Sequence, residues 1–339
     1  MALCGEPDER LGGVAEWLVK RGSVGGYSND IDQLTFALRV VGTPYVWPAA
    51  WSRISGSSVS YEQTTQALAG WLDTLERGPL RRCGIAQVRE GEQTVLVAVV
   101  SMALADLTLA LPTRARVGQW LSFEATLRVE ASQAKVILLP PTGEPMSVPT
   151  QQQGSRVRAR FAAATPGEWL VQLTASGETG PRPMLEALLF VDVAPATSHQ
   201  AQRAPGEGAV PRASTAEQAI ADMVVALRDE TGRPSLRRDP TLDRLAVAHA
   251  QSMCSARRIG HDVGDGPTHQ RLAAADFTAR LAGENVAHAT DPVRAHRALW
   301  ASPSHRTNLL HRGFSRWGLG VMRDEDGSLW ICEIFASDR

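Results

Sequence analysis

The stretch Trp300-Ala301-Ser302-Pro303-Ser304-His305-Arg306-Thr307-Asn308-Leu309-Leu310 decides how this chain is read. Ser302-Pro303 predicts the start of a short helix, because a serine N-cap followed by proline suits the first turn. Asp291-Pro292 gives the same signal upstream and predicts a helix running to Trp300. Further upstream stand Gly283-Glu284-Asn285-Val286 and Ile259-Gly260-His261-Asp262. The latter closes a helix that begins at Asp239-Pro240 and carries Leu242, Leu245, His249 and Met253. Before it, Ser214 and Glu217 have the spacing of a capping box. Ile220, Met223, Val224 and Leu227 recur at helical spacing, and Gly232 ends that helix. Downstream, Gly318–Arg323 and Leu329–Phe335 predict two strands around Asp324-Glu325-Asp326-Gly327. Helices first and a hairpin last predict helices packed on a small antiparallel sheet.

Any chemistry belongs to this region. All 8 histidines lie beyond residue 198, and His249 to His311 hold all but His199. Histidine is the side chain whose ordinary pKa lies near neutrality. Two histidines and a glutamate, here His261, His305 and Glu284, can hold a divalent metal with an open position or act as an acid/base pair. No H-E-x-x-H spacing fixes two ligands on one helical face. His249 sits on an apolar helical stripe and reads as a core histidine. His269, His288, His296 and His311 read as surface or packing residues, and Trp300 and Trp317 as core. Arg306 and Asn308 are expected to satisfy orphaned backbone groups at helix ends. Glu284 reads equally as a ligand-facing carboxylate or as a group bridging its own loop. Glu333, alternating with Cys332 and Ile334, is expected to face solvent, with the cleft lining as its alternative.

Taken in order, these segments resemble the CAP superfamily of cysteine-rich secretory, antigen 5 and pathogenesis-related proteins, in its bacterial, SCP-like branch. The likeness spans residues 214–337. It includes Leu242-Asp243-Arg244-Leu245-Ala246, Ala248-His249-Ala250-Gln251-Ser252-Met253, Gly260-His261, Asp265-Gly266 with Arg271-Leu272, Gly283-Glu284-Asn285-Val286-Ala287, the Trp300–Leu310 stretch, Gly318-Leu319-Gly320-Val321 and Phe335-Ala336. The resemblance implies an α/β/α sandwich with a cleft on which His261, Glu284 and His305 fall by motif position. The cleft's second acid, shortly after the tryptophan, has no counterpart: Ala301, Ser302 and Pro303 stand there. Relatives are implied to bind a divalent metal such as zinc, or sterols and other lipids, without a general catalytic activity. The functional expectation is a secreted or cell-envelope protein, non-enzymatic, binding a small ligand, lipid or divalent metal in this cleft. The alternatives are a metal-dependent hydrolase or protease using the same residues, and a purely structural interaction module.

Residues 195–213, rich in Ala, Pro, Gly, Gln and Ser, predict a linker ahead of this domain. Residues 104–194 read as short strands punctuated by Pro and Gly, an immunoglobulin-like β-sandwich. Residues 8–103 read as an α+β module, with helices over Leu11–Arg21, Ile31–Val41 and Tyr61–Arg77 and a hairpin over Cys83–Val100. Arg82-Cys83-Gly84-Ile85-Ala86 resembles Arg316-Trp317-Gly318-Leu319-Gly320. That likeness fits two hairpins, or a degenerate CAP-like copy. The whole is an α+β multidomain chain of 339 residues, 43% hydrophobic, with formal net charge −1. Without a basic stripe, nucleic acid is not an expected partner; a protein or envelope partner is compatible. The most apolar run, Thr94–Ala105, is shorter than the ~20 residues a membrane helix needs. No signal peptide is visible, and Met1-Ala2-Leu3-Cys4 resembles the end of a lipobox, making Cys4 a lipidation candidate. Cys4, Cys83, Cys254 and Cys332 are scattered, so they read as buried small side chains, with a Cys254–Cys332 disulfide open.

Overall fold

The computed structural model describes residues 4–20, 31–55, 60–75, 80–178, 180–197, 199, 202–210 and 215–338. They form two compact units. One comprises Met1–Pro141, Ser147–Thr174 and Pro183–Ala201; the other comprises Thr142–Met146, Ala175–Arg182 and Gln202–Arg339.

The first unit opens with β1 (Glu6–Pro7), α1 (Glu9–Lys20), α2 (Ile31–Val40), β2 (Val46–Ser55), α3 (Tyr61–Asp73), β3 (Arg81–Glu90) and β4 (Gln93–Met102). The sheet order is β1-β3-β4-β2. Leu11, Val14, Ala15 and Leu18 of α1 pack on Ala86, Val95, Val97 and Val99. Leu68 and Leu72 of α3 pack on the other face with Cys4, Cys83, Ala98 and Val100. Strand β2 has no clear sequence signal because Trp47-Pro48 interrupts it. The sheet absorbs the interruption as a register shift between Val46 and Ala49 on an edge strand, with Trp47 at φ 50°.

The cysteines correct two expectations. Cys4 and Cys83 are joined in a disulfide, so the Cys4 sulfur is not free to carry a lipid. Cys254 and Cys332 are both free thiols, so no bond joins them.

Residues 105–191 form two sheets. β5 (Ala105–Leu107), β7 (Trp120–Leu127), β10 (Thr150–Gln153) and β11 (Arg156–Ala162) make one, in the order β10-β11-β7-β5. β6 (Arg114–Ala115), β8 (Ser132–Leu139), β9 (Met146–Val148), β12 (Gly167–Gly177) and β13 (Gly180–Val191) make the other, in the order β6-β13-β12-β8-β9. Leu121, Phe123, Ala125 and Leu127 of β7 are buried while their neighbours are more exposed, the period-two pattern of a half-buried strand.

The segment read as a linker is structured over residues 202–210. Ala204 is buried, residues Glu207–Ala209 form a turn of 3₁₀ helix, and Arg297 binds the Glu207 carboxylate through two nitrogens at 2.6 and 2.7 Å. Gly206, at φ 86°, lies so close to α4 that a Cβ would stand 2.2 Å from the Met223 carbonyl oxygen. Its composition suggested a linker because short polar residues and glycine serve close packing as well as flexibility.

The C-terminal domain contains α4 (Ala216–Glu230), β14 (Arg237–Arg238), α5 (Pro240–Ala256), α6 (Thr268–Ala274), β15 (Ala282–Ala289), α7 (Pro292–Ala301), α8 (Pro303–Leu310), β16 (Arg316–Arg323) and β17 (Leu329–Ala336). Thr215, one residue later than expected, caps α4 by accepting from Gln218 N; Ser214 lies outside the described residues. Asp239 caps α5, and Pro240 occupies its first turn as expected. The sheet order is β14-β16-β17-β15. Leu242, Ala246, Ala250 and Met253 of α5 pack on one face with Val286, Cys332 and Ile334. Helices α4, α7 and α8 cover the other through Met223, Leu227, Leu299, Leu309 and Leu310, with Trp317, Leu319, Ile331 and Phe335. Strand β15, an edge strand, borders both helical layers and carries Glu284.

Candidate functional site: a histidine pair around a locked carboxylate

Three elements meet at the β15 edge: the loop after α5, helix α6, and the start of α8. The loop carries His261. Its shape is set by Asp262, whose Oδ1 accepts from Gly264 N at 2.9 Å and Gly266 N at 3.1 Å. His249, on the buried stripe of α5 as expected, anchors the loop. Its Nε2 lies 2.8 Å from the Gly260 carbonyl oxygen and its Nδ1 2.7 Å from Asp265 Oδ2.

Glu284 is the centre. Its Oε1 faces His261 Nδ1 at 2.8 Å, and its Oε2 accepts from Arg271 Nη2 at 2.7 Å. The Cys332 thiol reaches Oε2 at 3.5 Å, and His249 Nε2 lies 3.8 Å from Oε1. Only 2% of the side chain is exposed. Burial alone would raise its pKa. The His261 hydrogen bond, with the charges of His261, Arg271 and His249, outweighs burial and holds the carboxyl down at about 2. Glu284 is therefore ionised, and each of its oxygens accepts from a neighbouring side chain. Arg271 also ties the loop in place, from Nη2 to the His261 carbonyl at 3.1 Å and from Nε to that of Gly266 at 2.9 Å. Burial raises the Cys332 thiol well above its ordinary value, and the negative charge of Glu284 adds to the effect.

His305 comes from the other helical layer. Its pKa is pushed down to about 3 by burial and by the charge of His261. A ladder of amides fixes its backbone. Asn285 Nδ2 donates to the His305 carbonyl at 3.3 Å, and Asn308 Nδ2 donates to Asn285 Oδ1 at 2.9 Å and to the Glu284 carbonyl at 3.1 Å. Asn308 thus serves backbone and amide groups, as expected. Arg306 donates to the Trp300 carbonyl, and its guanidinium lies 3.9 Å from the centre of the Trp300 ring.

The expectation for Glu333 is overturned: its relative exposure is 0%. The central strand β17 is buried on both faces, so alternation does not send every second residue to solvent. Its Oε2 accepts from Asn285 Nδ2 at 3.0 Å, while Oε1 is buried with no hydrogen-bond partner. Burial raises its pKa to about 7, partly offset by the Asn285 bond. Of the remaining histidines, His296 is also buried and its Nε2 faces the Pro205 carbonyl at 2.7 Å.

The structure brings His261 and Glu284 into contact and sets His305 near His261. Among the described residues, no three or more His, Cys, Asp or Glu side chains converge on one metal position. Both Glu284 oxygens are committed, leaving His261 Nε2 and the His305 ring as nitrogens for an incoming group. This donor set does not fit a zinc ion held by the usual three or four protein ligands. Sequence reasoning missed Arg271 as Glu284's partner and His249 as the loop's anchor.

Comparison with known proteins identifies the family of the C-terminal domain. The model of the CAP family, the cysteine-rich secretory protein family, matches residues 221–334. This region is a CAP domain. A curated relative of the CAP domain, the uncharacterized protein YkwD of Bacillus subtilis (strain 168), is 29% identical over 119 residues. The match covers 34% of this chain and 46% of YkwD. Among solved structures, an outer surface protein from Borrelia burgdorferi is 22% identical, covers 37% of this chain and 93% of that one, and has a TM-score of 0.35. An extracellular SCP-domain protein from Bacillus anthracis is 18% identical over 64% of this chain and 82% of that one, with a TM-score of 0.32. No described helix is long and apolar enough to cross a membrane.

Proposed function

We propose that the chain is an extracytoplasmic binding protein. Its CAP cleft takes a small ligand with a polar or anionic head at His261 and His305, without catalysing a reaction. The observation that carries this reading is that both Glu284 oxygens are engaged, by His261 on one side and by Arg271 and Cys332 on the other. A general base needs a free lone pair within reach of the substrate proton. Glu284 instead holds His261 through Nδ1, which leaves Nε2 as its contacting atom. The Cys4–Cys83 disulfide supports an oxidising compartment outside the cytoplasm, as does the secretory family of the domain. The upstream strand-rich region, as an immunoglobulin-like sandwich, would present the CAP domain within the cell envelope.

Calorimetry with zinc chloride on the full chain, beside the His261→Ala/His305→Ala double variant and a protein-hydrolysis assay, tests the reading. Binding weaker than about micromolar, without hydrolysis, is expected. Micromolar or tighter binding lost in the double variant, together with zinc-dependent hydrolysis, would restore the metal-dependent hydrolase.

A further inference from the structure

The strand-rich region carries a feature that the CAP cleft does not use. Trp120, at the start of β7, is 67% exposed, and Val117 and Val193 are 43% and 41% exposed. A tight turn immediately precedes this tryptophan. Gln119 N donates to the Arg116 carbonyl at 3.0 Å, and Arg116 N donates to Gln119 Oε1 at 3.0 Å. Gly118, at φ 75°, donates to the Ala163 carbonyl at 2.9 Å, and Val117 N donates to Asp192 Oδ2 at 2.9 Å. The turn is thus tied down at four points. Beside it, Arg114, Arg116, Gln119, Asp192 and Val193 line an open cavity of roughly 480 Å³. The Arg160 guanidinium stands 5.7 Å from the centre of the Trp120 ring.

The charges here are mostly unanswered. Among the described residues, Arg114, Arg116 and Arg160 have no carboxylate partner. Asp192 is engaged by the Val117 amide, and Glu124, further along β7, lies 3.5 Å from Arg158. An exposed indole with the Arg160 guanidinium over its ring, next to a turn that carries Arg116, matches a ligand with a flat apolar face and an anionic edge. A sugar ring with an acidic substituent has both: its C–H face stacks on the indole, and its carboxylate pairs with the planar arginine fork. Nucleic acid is disfavoured, because so few cations would neutralise few phosphates and the chain is not basic. We propose that this end of the strand-rich region, centred on Trp120, Arg116 and Arg160, is a binding site for an acidic polysaccharide.

The test is calorimetric titration of the full chain with a uronic-acid polymer, with neutral dextran, and with vesicles containing an anionic phospholipid. The uronate polymer is expected to bind, more weakly as salt rises, while dextran and vesicles do not. Trp120→Ala, and separately Arg116→Gln with Arg160→Gln, should each weaken binding at least about tenfold, the usual cost of removing a contact hot spot. These side chains are exposed, so unchanged thermal melting will show that the variants fold. His261→Ala/His305→Ala should leave polymer binding intact, which separates this site from the CAP cleft. Failure to bind the uronate polymer, equal binding of dextran, or binding that survives both sets of substitutions overturns the proposal. Binding of vesicles alone replaces it with a lipid surface.

A different set of observations carries a second inference. Both α+β sheets have one strand order, β1-β3-β4-β2 and β14-β16-β17-β15. In each, a two-residue strand runs parallel to the hairpin, at Cys83 and Trp317, and leads into a helix. Asp8 Oδ1 accepts from Arg10 N and Leu11 N; Asp239 Oδ1 accepts from Thr241 N and Leu242 N. Gly84 and Gly318 then admit the helix backbone, a Cβ there meeting it at 2.0 and 2.1 Å. We infer that residues 6–102 are a degenerate CAP-like copy whose cleft has been filled. By register, Ala50 stands for Glu284, Trp51 for Asn285 and Ala98 for Glu333, and Trp51 stacks on Trp71. An experimental structure of the full chain is expected to superpose the two sheets and first helices strand for strand, with a Cys4–Cys83 bond. A different strand order, or another disulfide pairing, overturns the duplication.

Discussion

Arg271 donates to Glu284 Oε2 at 2.7 Å, and the two side chains are 8% and 2% exposed, so each neutralises a charge that water does not reach. Removing one partner of such a pair leaves the other uncompensated. Arg271→Ala should cost about 3–5 kcal/mol of stability. The loss should appear as a lower urea midpoint with an unchanged slope, and Glu284→Gln in the same background should recover part of it.

The same carboxylate makes the domain acid-sensitive. Its folded pKa of about 2 lies below the ordinary 4.5, so protons bind the unfolded chain first as pH falls. Its contribution is full above about pH 4.5 and disappears as pH drops through 2, amounting to roughly 3 kcal/mol. Urea titrations of the parent and Glu284→Gln across this range check the sign: the gap between them should narrow toward low pH.

Glu333 acts at the opposite end of the scale. Its folded pKa, raised to about 7, exceeds the ordinary 4.5. Above pH 4.5 the unfolded chain releases the proton more readily, so stability falls as pH rises through about 7. Glu333→Gln keeps an oxygen for Asn285 Nδ2 and removes the ionisation. The variant should gain stability relative to the parent at about pH 8, by roughly 3 kcal/mol at most, and gain none at about pH 4. Equal differences at both pH values would contradict a buried, protonating carboxyl.

Much of this arrangement was legible in the chain. His261, Glu284 and His305 stand in short segments flanked by helix-start signals, and the structure sets them around the β15 edge. Strand β15 itself was not legible, because Ala282–Ala289 alternates weakly and mixes Gly, Glu and Asn with small apolar residues. Glu333 misled for a related reason: alternation predicts exposure only when one face of a sheet meets solvent, and β17 is covered on both. Arg271 was visible as part of a family motif, but pairing across 13 residues between a helix and an edge strand leaves no local period to read. The β2 strand was hidden by its own proline. The Cys4–Cys83 pairing was beyond sequence spacing, because 79 residues separate the two.

Glycine placement gives a paired prediction. At Gly318 a Cβ would stand 2.1 Å from the Leu242 carbonyl carbon, and at Gly84 2.0 Å from Gly12 N. Backbone cannot yield as a side-chain tip does, so Gly318→Ala and Gly84→Ala must push their helices off the sheet, at about 1–3 kcal/mol or more. Gly13, inside α1, has nothing within 4 Å of its added Cβ. Gly13→Ala should stabilise by about 0.5–1 kcal/mol through the better helix propensity of alanine. Opposite shifts of the melting temperature in Gly84→Ala and Gly13→Ala would confirm the close approach of α1 to β3.

The disulfide offers the last test. Cys4–Cys83 closes a loop spanning 79 residues of sequence separation, and in the chain-entropy account such a loop contributes about 4.5 kcal/mol. Reduction should therefore lower the melting temperature of the full chain. Alkylation before reduction should modify Cys254, which is partly exposed, and spare Cys332, which is buried with a raised thiol pKa. After reduction and unfolding, mass spectrometry should find Cys4, Cys83 and Cys332 newly labelled. Labelling of Cys4 without reduction would remove the bond, and with it the support it lends to an oxidising compartment.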